Sequence, residues 1–328
     1  MKNISNFVEQ KMTGAHIDTF DDLLAPIARQ QRPLFAEPCS PDLLPSIDRI
    51  RGAYARDRMA FIPGEEMENM LSLLGATDDD FEKLRRVSAN LPPDPTLPFR
   101  QSRNGRFVID FEGRTIQRTE FQPFTLAKDE DFVRHDSGQL REFRGIQDDL
   151  QLNRAFQGLL RLKAMLIENM AIVGRSRLNW RSRKWISTVF NLRTITTPEL
   201  LGEPALEGVH SDGVEHTMTT LIGHENMSAD SAVTFIHDMA EANGTPNAKA
   251  NPAYVRAKMQ HRRFLDTLLI VDHERKHSLS PVFAVDTTRR ATRDMLIFFT
   301  RRPTMEGHST FPYDSMQPHR EMPMSVPI

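Results

Sequence analysis

His210 and Asp212 stand two residues apart in Gly208-Val209-His210-Ser211-Asp212-Gly213, just before the β-branched run Thr217 to Ile222. Side chains alternate along extended backbone, so an imidazole and a carboxylate at this spacing point the same way. A second imidazole from far downstream, His277, would complete a set of two nitrogen donors and one oxygen donor. Such a set occupies one face of a metal and leaves the other positions open, as in non-haem Fe(II) oxygenases. The bare His-x-Asp pattern also describes an aspartate capping a helix beside a surface histidine. Two features lean towards the metal. His277 follows a strand-like segment, Asp266 to Asp272, and Arg293 precedes another, Met295 to Phe299. Arg293 shares strand parity with Met295, Ile297 and Phe299 and would face inward with them. A guanidinium there suits a 2-oxo acid, whose carboxylate it would hold by two parallel hydrogen bonds.

Other charged residues compete for roles. Arg289 and Arg290 fall in a turn and read as solvated. Arg193, on a strand-like stretch, and Arg141 are candidates for a substrate carboxylate, and Glu207 for a substrate ammonium. Each has an alternative as a structural side chain. His216, His224, His237, His261 and His273 read as surface or core histidines.

The elements that would position these residues come mainly from the second half of the chain. Strands are expected at Trp185 to Thr196, Thr217 to Ile222, Ala232 to Ile236, Thr267 to Val271 and Met295 to Thr300. Short strands separated by Gly, Asn, Asp and Pro turns suggest an all-β core. Upstream, Phe107 to Phe111 and Glu120 to Leu126 read as strands, with a loop at Asp136-Ser137-Gly138. The spacing of Leu152, Phe156, Leu159, Leu160, Leu162, Met165, Leu166 and Met170 predicts a helix over 149–173, closed by Gly174. A helix with Ile47, Ile50 and Tyr54 on one side is expected over 46–60. Another starts at Thr77-Asp78-Asp79-Asp80, whose acids suit an N-terminus. Weak helical patterning surrounds Phe20 to Leu24, and Cys39-Ser40-Pro41-Asp42 reads as a turn. Pro92-Pro93-Asp94-Pro95 breaks the chain. The expected organisation is a helical extension over 1–95, a catalytic domain over 96–302, and an arm or disordered tail over 303–328, where five prolines interrupt any periodicity. The polar loop 242–252 would cover a site mouth.

Composition sets the bounds. The 328 residues are 39% hydrophobic and 26% charged, with a formal net charge of −2, which is ordinary for a soluble globular protein. Without a basic stripe, a nucleic-acid partner is not suggested. Cys39 is the single cysteine, so neither a disulfide framework nor a thiolate metal cluster is available. That fits a reducing, cytoplasmic setting. No apolar run reaches the roughly 18 residues of a membrane span, and the first residues lack an apolar leader core.

Four stretches, in order, resemble one family. Gly202 to Gly213 is similar to the Glu-Gly-x-His-x-Asp-Gly stretch of the bacterial and fungal 2-oxoglutarate/Fe(II) dioxygenases that include L-isoleucine 4-hydroxylase. Pro98 to Phe107, with Arg100, Arg103 and Arg106, resembles that family's basic entry strand. Ser137 to Phe143 resembles its Gly-x-x-Arg-x-Phe element, and Thr292 to Leu296 its final Arg-Asp strand. The resemblance covers about 97–302 and departs at Asn226 to Asp230, where the family's Gly-Gly is missing. It implies a mainly β fold with flanking helices, an α+β chain around a double-stranded β-helix (jelly-roll, cupin-like) core. It implies iron ligation by His210, Asp212 and His277, and 2-oxoglutarate binding by Arg293. The expected enzyme uses Fe(II), 2-oxoglutarate and O2 to oxidise an unactivated C–H of a small, free aliphatic amino acid. Hydroxylation is the default, with cyclisation or desaturation as the alternative. Two rivals remain at this point: a non-catalytic jelly-roll binding module, and a Zn2+ hydrolase using the same ligands to activate water.

Overall fold

The computed structural model describes residues 41–125 and 137–328. Two antiparallel sheets face each other across a cavity. The large sheet has the order β1-β8-β5-β10-β4-β2-β3-β11 and the small one β7-β6-β9. In chain order the strands are β1 (Met59–Ile62), β2 (Arg100–Asp110), β3 (Thr115–Thr119), β4 (Lys184–Thr196), β5 (His216–Glu225), β6 (Thr234–His237), β7 (Val255–Met259), β8 (Thr267–Val271), β9 (Lys276–Leu279), β10 (Ala291–Arg301) and β11 (Ser325–Pro327). Strands far apart in sequence thus become neighbours, as in a jelly roll.

Alternation divides the large sheet's residues between two environments. On β10, Arg293, Met295, Ile297 and Phe299 line the cavity, while Leu296 and Phe298 join the core beneath the helices. That helical layer comprises α1 (Leu44–Asp57), α2 (Gly64–Leu73), α3 (Asp78–Arg86), α4 (Asp148–Gln151) and α5 (Arg154–Ile167). From α5, Phe156, Leu159, Leu160 and Leu162 are fully buried. Each side chain of this size stabilises the fold by about 1.5–3 kcal/mol on leaving water. Thr77 caps α3, its hydroxyl accepting from the Asp80 amide while Asp80 accepts from the Thr77 amide at 2.9 Å.

Several expectations change. The helix over 149–173 is two helices, because Asn153 caps a new start by accepting from the Phe156 amide at 3.1 Å. Leu152 falls in the break and is 50% exposed. The helix ends at Ile167, and the left-handed residue beyond it is Asn169 (φ 55°), not Gly174. Of the segment 120–126, Phe124 alone forms a bridge, to Arg141; Leu126 and Asp136 lie outside the described residues, as do Phe20 to Leu24 and Cys39. Asn226 supplies the turn for which no Gly-Gly is present, with φ 52° and its amide donating to the carbonyls of Asp286, Arg289 and Arg290 at 2.9–3.2 Å.

Contacts cross the expected divisions near residues 95 and 303. β1 pairs with β8, and residues of α1, α2 and α3 share one apolar core with Val189 and Phe298. Beyond 303, β11 pairs with β3. Asp314 there accepts from Arg301 at 2.7 Å and also pairs with Arg106. Buried charges on both sides tie this segment to the sheet.

Candidate active site

The metal-ligand candidates are assembled by backbone first. His210 lies before β5 and bridges to His277 on β9, each amide donating to the other's carbonyl at 2.9 Å. The rings stand 4.3 Å apart, centroid to centroid. Asp212 follows on extended backbone, and Ser211 between them turns the other way, donating to the Asp272 carbonyl at 3.1 Å. Gly208, with φ +77°, makes the approach possible. A Cβ there would sit 2.4 Å from the Thr245 carbonyl oxygen, so the loop over 242–252 can lie against this strand only because the residue is glycine.

His210, Asp212 and His277 offer three ligand atoms within 4.8 Å of one another, and all three residues are buried. His210 Nε2 is 3.5 Å from Asp212 Oδ1, and His277 Nε2 is 3.7 Å from Asp212 Oδ2. His210 Nδ1 meets the Gly208 carbonyl at 2.8 Å. A carbonyl only accepts, so Nδ1 carries the proton and the Nε2 lone pair is left for a cation. Thr217 Oγ1 donates to Asp212 Oδ2 at 2.7 Å. Asp272, fully buried, accepts from the amides of Asp212, Gly213 and Val214 at 2.8–3.3 Å. Two imidazoles and a carboxylate, with His210 and Asp212 braced from behind, fit an Fe(II) ion.

The corner is electrostatically hungry for a cation. Burial pulls the His210 imidazolium down, yet Glu207 and then Asp212 outweigh it and raise its pKa to about 10. His277 goes the other way, to about 4, through burial and then repulsion by His210. A divalent ion would meet the demand that a proton on His210 otherwise meets.

The cavity carries charge of both signs. Arg293 is 4% exposed, and its Nε has no acceptor among the described residues. Burial lowers its pKa to about 10, so it stays charged at neutral pH. His261, one of the spare histidines, lines the same cavity. Burial, then Arg293, lowers its pKa to about 3, which keeps it neutral. Glu207 also lines the cavity, its Oε1 3.7 Å from His210 Nε2. Arg141 lines the cavity too, its guanidinium 5.2 Å from the Phe124 ring centre. Phe124, Phe143, Phe190 and Phe299 form an apolar wall, packed edge to face at centroid separations of 5.0–5.1 Å where Phe190 meets Phe124 and Phe143.

Arg193 is not part of this assembly. It has the opposite parity to Phe190 and Leu192, the β4 residues that line the cavity, and makes a two-pronged ion pair with Asp294 at 2.6 and 2.7 Å. Its neighbour across the ladder is Asp294, and that partner already fills the role of a carboxylate. Arg289 and Arg290 are exposed. Thr217, Asp272, His261 and the phenylalanine wall were missed from sequence. Thr217 carried one usable signal, its alternation with Thr219 at the start of the apolar run.

Residues 85–299 match the model of the 2OG-Fe dioxygenase family. The chain is 49% identical to the solved Fe(II)/α-ketoglutarate-dependent dioxygenase TqaL, with a TM-score of 0.77 over 89% of this chain and 98% of that one. It is 46% identical over 283 residues to the bifunctional enzyme flvA of Aspergillus flavus, covering 86% of this chain and 34% of that one. The chain therefore spans about a third of that relative's length. A bsmA homologue from Methylobium petroleophilum shares the fold at 17% identity and a TM-score of 0.64, over 80% of this chain and 95% of that one. The chain belongs to the 2OG-Fe dioxygenase family, enzymes that use Fe(II), 2-oxoglutarate and O2. The binding-module and hydrolase readings give way to an oxidoreductase. Among the described residues no helix is long and apolar enough to cross a membrane.

Proposed function

We propose that the enzyme oxidises an unactivated C–H bond of a small, free aliphatic amino acid, with His210, Asp212 and His277 as the iron ligands. The observation that carries the reading is the pair of opposite charges facing one apolar cavity, Arg293 and Glu207. A buried guanidinium calls for an anion, and the distal carboxylate of 2-oxoglutarate supplies one. Glu207 meets the substrate ammonium, Arg141 its carboxylate, and the phenylalanine wall its aliphatic side chain. Bound iron with 2-oxoglutarate and O2 supplies the oxidising power; the chain orients the target carbon and excludes water. For hydroxylation, one oxygen atom of O2 enters succinate and the other the product alcohol, with CO2 released. If the substrate loses a second hydrogen instead of gaining oxygen, desaturation or ring closure results and that oxygen leaves as water. The enzyme acts as a cytoplasmic protein with no nucleic-acid or membrane partner.

The test is succinate formation under air from Fe(II)-loaded protein, 2-oxoglutarate and a panel of amino acids. Succinate that depends on one aliphatic amino acid and vanishes in Asp212→Ala supports the reading. Succinate formation that no amino acid stimulates removes the substrate assignment.

A further inference from the structure

On the face of the large sheet away from the cavity, Lys163 of α5 has no solvent exposure. Its Nζ donates to the carbonyls of His216 at 3.2 Å and Phe298 at 2.6 Å. These carbonyls belong to adjacent strands, β5 and β10. The residues that follow them, Thr217 and Phe299, are partners across the ladder. The His216 and Phe298 side chains face the helical layer, where His216 Nδ1 meets the Tyr54 hydroxyl at 2.9 Å and Phe298 stacks on Phe156. Alternation therefore turns both Thr217 and Phe299 to the cavity. Thr217 holds Asp212, and Phe299 forms part of the apolar wall.

Lys163 Nζ lies 5.7 Å from the centre of the Phe298 ring, and a methionine there would fill a similar space without the cost of desolvating an amine. Burial pushes its ammonium well below the usual lysine range, with Asp212 opposing. Stability alone does not call for lysine here. We propose that Lys163 is a positioning residue for the metal centre, fixing from behind the sheet the one rung that carries both the hydroxyl holding Asp212 and the wall against which the substrate lies. The inference rests on the reading of His210, Asp212 and His277 as the metal ligands.

The test is a spectrophotometric titration of the full chain with Co(II), in place of Fe(II). It compares the wild type, Lys163→Met, Thr217→Val and the double variant, with Phe156→Leu as a destabilised control. Groups that orient ligands typically change metal affinity by about 10–100-fold. Lys163→Met should bind Co(II) about tenfold more weakly, and Phe156→Leu should bind as the wild type does. If Lys163 acts through Thr217, the same change in the Thr217→Val background should cost about twofold or less. Unchanged affinity in Lys163→Met, or a full tenfold loss repeated in the Thr217→Val background, overturns the proposal while the metal reading stands. A wild-type band that persists unchanged in Asp212→Ala, titrated alongside, removes both. Should Lys163→Met fail to fold, Lys163→Gln is read by amide hydrogen exchange. Faster exchange at Thr217 and Phe299 is expected, and unchanged exchange at both overturns the proposal.

Discussion

His210 and His277 are bound to each other through their main chains in both directions, at 2.9 Å each way. The two imidazoles are therefore held at a fixed separation by backbone that neither side chain supplies. Removing one imidazole should abolish metal binding without loosening the fold. His277→Ala is expected to weaken Co(II) binding by more than about 100-fold, beyond what loss of a supporting group causes. Its melting temperature without metal should stay within a few degrees of the wild type, as seen by circular dichroism.

Asp272 is a stability residue with a functional consequence. Its carboxylate accepts three amides from Asp212, Gly213 and Val214. Asp272→Ala strands three buried N–H groups, each worth about 1–3 kcal/mol when left unpaired. A loss of at least about 3 kcal/mol is expected in urea unfolding, and Asp212 should lose its fixed position with it.

If Arg293 holds 2-oxoglutarate as proposed, it trades stability for binding. Its buried guanidinium has no acceptor among the described residues at Nε, so replacing it by an apolar side chain relieves a desolvation cost. Without 2-oxoglutarate, Arg293→Met should melt at or above the wild-type temperature. Its affinity for 2-oxoglutarate should fall by about 2–5 kcal/mol, the scale for losing one partner of a buried charged pair. Calorimetric titration and thermal melting of the same sample check both halves.

Asp314 sets an acid limit on the C-terminal segment. Burial pushes its carboxyl up, but Arg301 and then Arg106 outweigh it and hold the pKa well below the usual aspartate range. A depressed folded-state value means the stabilisation is full above the unfolded pKa, near 4, and is lost as pH falls through the folded value. Asp314→Asn should cost about 3 kcal/mol at pH 7, because two buried arginines lose their counter-ion. The gap between wild type and variant in urea midpoint should narrow from about pH 5 downward. A gap that widens in acid would contradict the assignment.

Much of this was legible in the sequence because strand parity is a hard constraint. β8 runs from Thr267 to Val271 as its β-branched composition indicates, and Arg293 lines the cavity with the residues of its own parity. Parity also explains the misplaced Arg193. The sequence shows a basic residue on a strand, but not that the partner strand sets Asp294 opposite it. β1 was missed because four apolar residues directly after a helix carry no period of their own. Ion pairs anchor the C-terminal segment, and pairing between Arg106, Arg301 and Asp314 leaves no periodic trace in the sequence. The phenylalanine wall gathers residues from β4, β10 and two loops, which only the folded sheet order brings together.

The two outermost strands of the large sheet come from opposite ends of the described chain, β1 at Met59–Ile62 and β11 at Ser325–Pro327. The family-matched stretch, 85–299, contains neither. Trimming the protein to that stretch would leave β8 and β3 with unpaired amides and carbonyls along their rims, templates on which a second molecule can add a strand. Strands of four and three residues at the two rims leave only short open edges, the kind of edge that gives a second molecule little to pair with.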